Sequence, residues 1–324
     1  MIPEGLFLDR INLVYKKILP YVNVTPLVKG SDILNEYLGT NIYLKYECFQ
    51  RGGSFKIRGA INNALSIKKE KLKNGITAVS AGNHAIAASY VANIFNLKNK
   101  IFLYESANPF RVEICKKLKA NILFTNADKA FENVKEAEKE GYIFIHPFDG
   151  LNTLQGSATL GLEIINQINK LNKHIENVII AVGGGGLISG VGSLIKQIYP
   201  NAKIIGVEPL GAKGMTKSLK VKKPLKKVKI NSIADSLCAP LHMPYSFSVA
   251  KEIIDLMINV SEEEMIHSMI DAYNNLKMIL EPACVASIAA LNYHLKNDLK
   301  NQNTILLLCG SNIDFQTWKK VTSY

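Results

Sequence analysis

The sequence lacks the features that mark several classes of protein. Its five cysteines are widely spaced and include no CxxC pair, so neither a disulfide framework nor a zinc site is expected. Segment 1–21 interrupts its apolar residues with Asp9, Arg10, Lys16 and Lys17, and it therefore predicts neither a signal peptide nor a membrane-spanning helix. We expect a cytoplasmic protein with reduced thiols and no membrane contact.

Acidic residues are also scarce, since 27 Asp and Glu stand against 39 Lys and Arg, for a net charge of +12. The densest part of this excess is a group of eight lysines in segment 213–229. Nucleic-acid bases stack on aromatic side chains, and this segment has none. We therefore predict a solvated loop here and no nucleic-acid partner.

What the chain does contain is an alternation of short apolar runs with longer amphipathic segments, which is typical of βα units around a parallel sheet. Strands are predicted at 41–47, 76–80, 100–105, 121–125, 177–183, 202–208 and 303–310, and helices at 131–140, 159–170, 187–198 and 261–276. The 324 residues suffice for about two domains, and no repeat or flexible linker separates them. We expect an α/β fold with a small domain, 49–149, inserted into a large domain formed by 1–48 and 150–324.

The first motif with chemical content is QRGGSFKIRGA at 50–60. Lys56 follows a Gly-Gly-Ser turn and begins a predicted helix, where the positive end of the helix dipole favours the neutral amine. A neutral amine is what Schiff-base formation requires. Taken alone, a lysine near a helix start is most often a solvated surface residue.

The second motif, SAGNHA at 80–85, follows a predicted strand. Ligands of α/β folds bind at the carboxyl ends of strands, and Ser80, Asn83 and His84 offer donors for a carboxylate or phenolate oxygen. The same residues also suit a simple turn and helix cap.

The third motif, VGGGGLISG at 182–190, places four glycines between a strand and a helix, which suits a phosphate group. The spacing matches neither the GxGxxG of dinucleotide sites nor the GK[ST] ending of a P-loop, so the carrier of the phosphate stays open. A fourth motif, LLLCGSNID at 306–314, carries Cys309 at the end of an apolar strand. Alone, such a cysteine is most often a small core residue.

Six motifs occur in an order and spacing that resemble the threonine/serine dehydratase and serine racemase family. They are SFKxRGA around Lys56, SAGNHA at 80–85, GGGGL at 183–187, IGVEP at 205–209, EPA at 281–283 and CGSN at 309–312. The resemblance implies the tryptophan-synthase-β-like fold of pyridoxal-phosphate enzymes, in which two lobes, each a mainly parallel twisted sheet flanked by helices, enclose the cofactor in a cleft. We also expect a homodimer and, because fifteen residues follow Cys309, no C-terminal regulatory domain.

The resemblance further implies roles for individual residues. Lys56 would hold pyridoxal 5'-phosphate as a Schiff base and later move the Cα proton of the substrate. The other cofactor contacts would be Phe55 beside the ring, Asn83 at the phenolic oxygen, the backbone N–H groups of Gly183, Gly184, Gly185, Gly186 and Leu187 at the phosphate, and Cys309 at the pyridine nitrogen. The substrate contacts would come from Ser80, Asn83, His84, Gln155 and Ser236.

The reaction so implied is β-elimination of a small hydroxy amino acid such as threonine or serine, giving a 2-oxo acid and ammonia. A thiol at position 309 cannot protonate the pyridine nitrogen as an aspartate would, so negative charge at Cα is less delocalised. Prompt loss of the β-hydroxyl group is then favoured over transamination.

Three departures from the family pattern bear on this expectation. Ala81 replaces the second serine of racemases, which disfavours racemisation. Ser236 replaces a glycine of many dehydratases and puts a preference for threonine in doubt. Gly214 stands where some members pair an aspartate with the equivalent of Glu208, so no metal is expected.

Several alternatives stay open at this point. The substrate could be a more specialised amino acid, such as hydroxyaspartate or a compound derived from hydroxyectoine, or the reaction could be β-replacement of a serine ester. A further alternative is a non-catalytic protein that binds phosphate or nucleic acid and has kept the fold without the pyridoxal-phosphate chemistry. Visible absorbance of the purified protein separates an enzyme of this type from such a binder.

Overall fold

The structure, a computed structural model, describes residues 2–126 and 129–323. Ten strands occur in this part of the chain: β1 (Leu27–Lys29), β2 (Asn41–Tyr46), β3 (Ile76–Ser80), β4 (Asn99–Tyr104), β5 (Ile122–Thr125), β6 (Ile143–Phe144), β7 (Asn177–Ala181), β8 (Lys203–Pro209), β9 (Leu256–Val260) and β10 (Asn303–Leu308). They form two separate sheets.

Helices follow or precede most of these strands. They are α1 (Leu8–Ile18), α2 (Asp32–Leu38), α3 (Lys56–Ser66), α4 (Lys69–Leu72), α5 (Asn83–Ile94), α6 (Pro109–Lys117), α7 (Ala130–Lys139), α8 (Leu151–Lys170), α9 (Gly186–Ile198), α10 (Gly214–Lys220), α11 (Pro244–Ile253), α12 (Glu262–Asp271), α13 (Pro282–Ala290) and α14 (Phe315–Thr322). No helix among the described residues is long and apolar enough to cross a membrane.

The larger sheet has the strand order β1-β2-β10-β7-β8-β9, and every neighbouring pair except β1 and β2 is parallel. Its central strands β7 and β10 are buried at every residue. Parallel strands that are covered on both faces consist of nearly continuous apolar runs. For this reason β7 and β10 could be predicted from the sequence.

The smaller sheet has the order β5-β4-β3-β6 and is parallel throughout. Its strands lie within the predicted small domain, 49–149, and the larger sheet lies outside it. The predicted α/β class with two mainly parallel sheets is therefore confirmed. Helix α3 packs on both α8 and α5, so the domain boundaries stay a prediction.

A buried ion-pair cluster fixes the helix that begins at Lys56. Within this cluster Arg58 donates to Glu47 at 2.8 Å and to Glu163 at 2.9 Å. Lys45 donates at 2.8 Å to Oε2 of Glu163, an oxygen to which Arg58 also donates. All four side chains are shielded from solvent, and they join α3 to β2 and α8. We call this group the Arg58 cluster.

Candidate active site

Lys56 is the first residue of α3, and its amine points into a cleft between the two sheets. The Nζ atom donates to the carbonyl of Pro147 at 2.6 Å and lies 5.0 Å from the centre of the Phe55 ring. Removal from water lowers the pKa of Lys56 to about 8, against a small opposing effect of Cys309. A substantial fraction of the amine is therefore neutral near pH 8 and able to attack an aldehyde.

The SAGNHA turn joins β3 to α5 and forms one wall of this cleft. Ser80 Oγ accepts the N–H of Gly82 at 3.0 Å, and α5 begins at Asn83. The His84 ring is buried and donates from Nε2 to the carbonyl of Ile145 at 2.7 Å. Burial lowers the pKa of His84 to about 3, so the ring is neutral and its Nε2 is already occupied.

Asn83 is held by three partners from the larger lobe. Its Nδ2 atom donates to Glu281 at 2.6 Å and lies 3.4 Å from Ser236 Oγ. Its Oδ1 atom accepts from Asn312 at 2.7 Å. The side-chain amide is thus fixed in orientation, and the second N–H of Nδ2 is directed along the cleft wall toward Ser236.

Arg111, in α6, crosses from the smaller lobe to the larger one. It donates to Asp235 at 2.5 Å, to Glu281 at 3.1 Å and to the carbonyl of Asn312 at 2.8 Å. Burial raises the pKa of Glu281, and Arg111 opposes that shift. We call Arg111, Asp235 and Glu281 the Arg111 cluster.

The glycine loop follows β7, and α9 begins at its last glycine, Gly186. A Cβ atom at Gly184 would lie 2.1 Å from the Phe148 ring, and Gly185 has a left-handed φ of +93°, so only glycine fits here. The carbonyl of Gly183 accepts from His242, and that of Gly184 accepts from Ser246. The first N–H groups of a helix lack partners within it, which suits a phosphate at this loop.

Cys309 follows β10 and lines the cleft. Its thiol donates to the carbonyl of Ala283 at 3.8 Å and lies close to the Cys284 thiol. The Cys284 contact, followed by burial, raises the pKa of Cys309 well above its ordinary value. The group at this position is therefore a neutral thiol at physiological pH.

The structure brings nearly all the predicted site residues together in one cleft of about 950 Å³, its open mouth included. Those that line it are Phe55, Lys56, Ser80, Asn83, His84, Gly183, Gly184, Gly185, Gly186, Leu187, Ser236 and Cys309. Gln155 is not among them. Its side chain points away from the cleft, and its Nε2 donates to the carbonyl of Gly5. We therefore correct the expectation that Gln155 contacts the substrate.

The region around Glu208 lies outside the cleft. Glu208 accepts the N–H groups of Met215 at 2.5 Å and Thr216 at 2.9 Å, at the start of α10. Burial raises the pKa of this carboxyl to about 7, although these hydrogen bonds oppose the shift. Within the described residues no group of three His, Cys, Asp or Glu side chains could hold a metal ion.

Comparison with known proteins places these motifs in a wider context. A family model described as pyridoxal-phosphate dependent enzyme matches residues 18–310. The chain is 37% identical over 302 residues to phenylserine dehydratase of Ralstonia pickettii, which covers 93% of this chain and 91% of that protein. It is 36% identical over 296 residues to a biosynthetic L-threonine dehydratase of Halalkalibacterium halodurans, covering 90% and 70% of the two chains.

Solved structures show the same similarity. The processed form of threonine deaminase isoform 2 from Solanum lycopersicum has a TM-score of 0.87 at 34% identity, covering 98% of this chain and 93% of that one. Maize serine racemase has a TM-score of 0.87 at 29% identity, covering 96% and 95%.

Proposed function

Because the chain belongs to the family of pyridoxal-phosphate dependent enzymes, we propose that it is a dehydratase that removes the β-hydroxyl group of a hydroxy amino acid, such as threonine or serine. The products are a 2-oxo acid and ammonia. The observation that carries this proposal is the cleft in which the Lys56 amine, with a pKa of about 8, lies beside a glycine loop and a neutral thiol.

The cleft residues fit the cofactor. The glycine loop, where a Cβ at Gly184 would collide with the Phe148 ring, leaves the backbone N–H groups at the start of α9 for the phosphate, and Lys56 is suited to the aldehyde. Asn83 would face the phenolic oxygen, and Cys309 the pyridine nitrogen. When bound, pyridoxal phosphate supplies an electron-withdrawing ring that stabilises negative charge at the substrate Cα.

The protein's own groups position the substrate and move its protons. The Lys56 amine accepts the proton of the substrate Cα, and the carbonyl of Pro147 keeps Nζ oriented within the cleft. Ser80 and the N-terminal end of α5 bind the substrate carboxylate. The methyl group of Ala81 cannot exchange a proton with the substrate, which supports elimination over racemisation.

We extend the proposal to the assembly of the protein. Residues 1–48 and 150–324 form the cofactor-binding domain, and residues 49–149 form the small domain. The enzyme is a homodimer, which light scattering of the purified holoenzyme tests. Its five free cysteines support a reducing compartment such as the cytoplasm.

The test is release of 2-oxo acid and ammonia from serine and threonine by the purified holoenzyme. Lys56→Ala should lower turnover by more than about a thousandfold and remove the visible absorbance of the lysine-bound cofactor. Lys69→Ala is the matched control, because Lys69 also begins a helix but is exposed, and this variant should keep both properties. A Lys56→Ala protein that still holds a borohydride-reducible lysine adduct would contradict the assignment.

A further inference from the structure

Two carbonyl groups of the glycine loop bind side chains from one short segment, 242–246, which joins the cleft to α11. The carbonyl of Gly183 lies 3.2 Å from Nε2 of His242, and the carbonyl of Gly184 accepts from Oγ of Ser246 at 3.2 Å. The glycines line the cleft, whereas His242 and Ser246 do not. Segment 242–246 therefore contacts the loop from the side that faces away from the cleft.

These two contacts also fix the direction of two backbone N–H groups. In a planar trans peptide the carbonyl of one residue and the N–H of the next point in opposite directions. A fixed carbonyl at Gly183 thus sets the N–H of Gly184, and a fixed carbonyl at Gly184 sets the N–H of Gly185. In the part of the chain that the structure describes, neither N–H donates to another backbone group. Both are left for a ligand in the cleft.

The protonation state of His242 follows from its partners. A carbonyl oxygen can only accept, so Nε2 carries the proton that is donated to Gly183. Burial lowers the pKa of His242, although the hydrogen bond to Gly183 opposes this shift, and the ring is neutral. Its Nδ1 therefore accepts the hydroxyl proton of Ser218 at 2.8 Å, while Ser218 Oγ accepts the N–H of Leu225 at 3.1 Å. Ser218 thus selects the one neutral form of His242 that can donate to the loop.

Ser246 is fixed by two neighbouring elements. It is buried in the first turn of α11, where its N–H donates to Asp149, just before α8, at 2.6 Å. Its carbonyl accepts from Ser189 Oγ, in α9, at 2.9 Å. Since the glycine loop leads into α9, the hydroxyl of Ser246 is held in place by the helix whose start it serves.

From this geometry we propose that His242 and Ser246 are positioning residues, which turn the N–H groups of Gly184 and Gly185 toward the phosphate of the cofactor. The inference rests on the placement of the phosphate at the glycine loop under the proposed function. Because neither side chain lines the cleft, neither touches the cofactor aldehyde or Lys56. Their loss should weaken binding of the phosphate and spare attachment of the aldehyde.

The experiment compares the Kd of the apoenzyme for pyridoxal 5'-phosphate and for pyridoxal, which has the same aldehyde but no phosphate. An asparagine amide reaches the position of Nδ1 of a histidine, and a glutamine amide reaches that of Nε2. His242→Asn should therefore raise the Kd of pyridoxal phosphate by about tenfold and that of pyridoxal by less than about twofold. His242→Gln keeps a donor for Gly183 and should stay within about threefold of the parent for both ligands.

Ser246 provides an independent variant. Ser246→Ala should raise the Kd of pyridoxal phosphate by about fivefold, again without an effect on pyridoxal, and it decides the question if His242→Asn does not fold. Ser248→Ala is the matched control, because Ser248 also lies in α11 but is exposed and donates to the carbonyl of Tyr245. The phosphorus NMR signal of the bound cofactor should move in His242→Asn and Ser246→Ala and stay in place in Ser248→Ala.

The possible failures are distinguishable. If His242→Asn and Ser246→Ala weaken binding of both ligands equally, the two residues act only on folding and the positioning inference is wrong. If the parent binds pyridoxal as tightly as pyridoxal phosphate, the phosphate lies elsewhere and its placement at the glycine loop is wrong as well. If the Kd values change as expected but the holoenzyme releases no 2-oxo acid from any hydroxy amino acid, the dehydratase function is wrong and the positioning role stands.

Discussion

Two buried arginines make similar ion pairs in very different places. The Arg58 cluster is closed, since the side chains of Arg58, Glu47 and Glu163 are at most 1% exposed and line no part of the cleft. The Arg111 cluster is open at one end, because the Asp235 side chain is 43% exposed and lines the cleft together with Glu281. Arg58 thus joins helices and strands behind the site, whereas Arg111 joins the two lobes at the edge of the site.

The difference shows how burial separates a role in folding from a role in ligand binding. Breaking a closed ion pair strands a charge that water cannot reach, so the cost falls on the folded state. Loss of Arg111 leaves Asp235 to the solvent, whereas the buried Glu281 loses its cation beside Asn83. Arg58 is therefore a stability residue, and Arg111 is a positioning residue for the cleft.

The largest expected effect is on the closed cluster. Arg58→Met should lower the free energy of unfolding by about 3–5 kcal/mol, because Glu47 and Glu163 are left buried without their shared cation. Urea unfolding of the holoenzyme measures this. Arg51→Met, at an exposed arginine, is the control and should change stability by less than about 0.5 kcal/mol. A loss below about 1 kcal/mol for Arg58→Met would break the comparison.

Mutation of the Arg111 cluster should affect activity more than stability. Arg111→Met should cost about 1–2 kcal/mol of stability but lower kcat/KM by about thirtyfold, because Glu281 takes up a proton and no longer orients Asn83 as a carboxylate. Loss of the cation raises the pKa of Glu281 further, so the defect should be largest at low pH and shrink as pH rises. Arg111→Lys should restore part of the activity. A pH-independent defect would mean that Arg111 acts only on folding.

Cys309 allows a test within the cleft itself. Cys309→Asp would keep the pyridine nitrogen protonated and deepen the electron sink, so β-elimination should slow by about tenfold relative to exchange of the substrate Cα proton with solvent deuterium. Cys309→Ser keeps a neutral hydrogen-bonding group and should stay within about threefold of the parent. Equal elimination rates and equal exchange in the two variants would show that Cys309 is a core thiol.

The last comparison is between two lysines. Lys56 lies in the cleft and has a pKa of about 8. The rate of cofactor binding by the apoenzyme should therefore rise about tenfold for each unit of increasing pH below 8 and level off above it. Lys45 belongs to the closed cluster, where Glu163 and the carbonyl of Thr25 hold its ammonium group. It should not react with pyridoxal phosphate at any of these pH values. Stopped-flow absorbance measures the rate, and a flat profile would contradict the lowered pKa.

Sequence reasoning finds the parts of the site that are local in the chain. Lys56, the SAGNHA turn and the glycine loop each join a strand or turn to a helix within about ten residues, so their motifs are complete in themselves. The buried strands β7 and β10 are predictable because each is a nearly continuous apolar run. The strands β1, β6 and β9 are not, because each is partly exposed and therefore lacks the pattern of a fully buried strand.

The parts that sequence reasoning misses depend on long-range pairing. Arg111 contacts Asp235 and Glu281 at separations of 124 and 170 residues, and no local pattern connects them. The prediction for Gln155 is wrong because the face that α8 turns toward the cleft depends on how the helix packs. A buried Glu281 directly before Pro282 in an apolar segment is the one local signal of a paired acid.

Covalent attachment of the cofactor to Lys56, at the centre of the cleft, is the feature on which the roles of the other cleft residues depend. Reduction of the purified holoenzyme with borohydride, followed by mass mapping of its peptides, tests this most directly. We predict a single modification by reduced pyridoxal phosphate, on the peptide that contains Lys56, with loss of visible absorbance. Modification of Lys45 or of any other lysine, with Lys56 recovered unmodified, would contradict it.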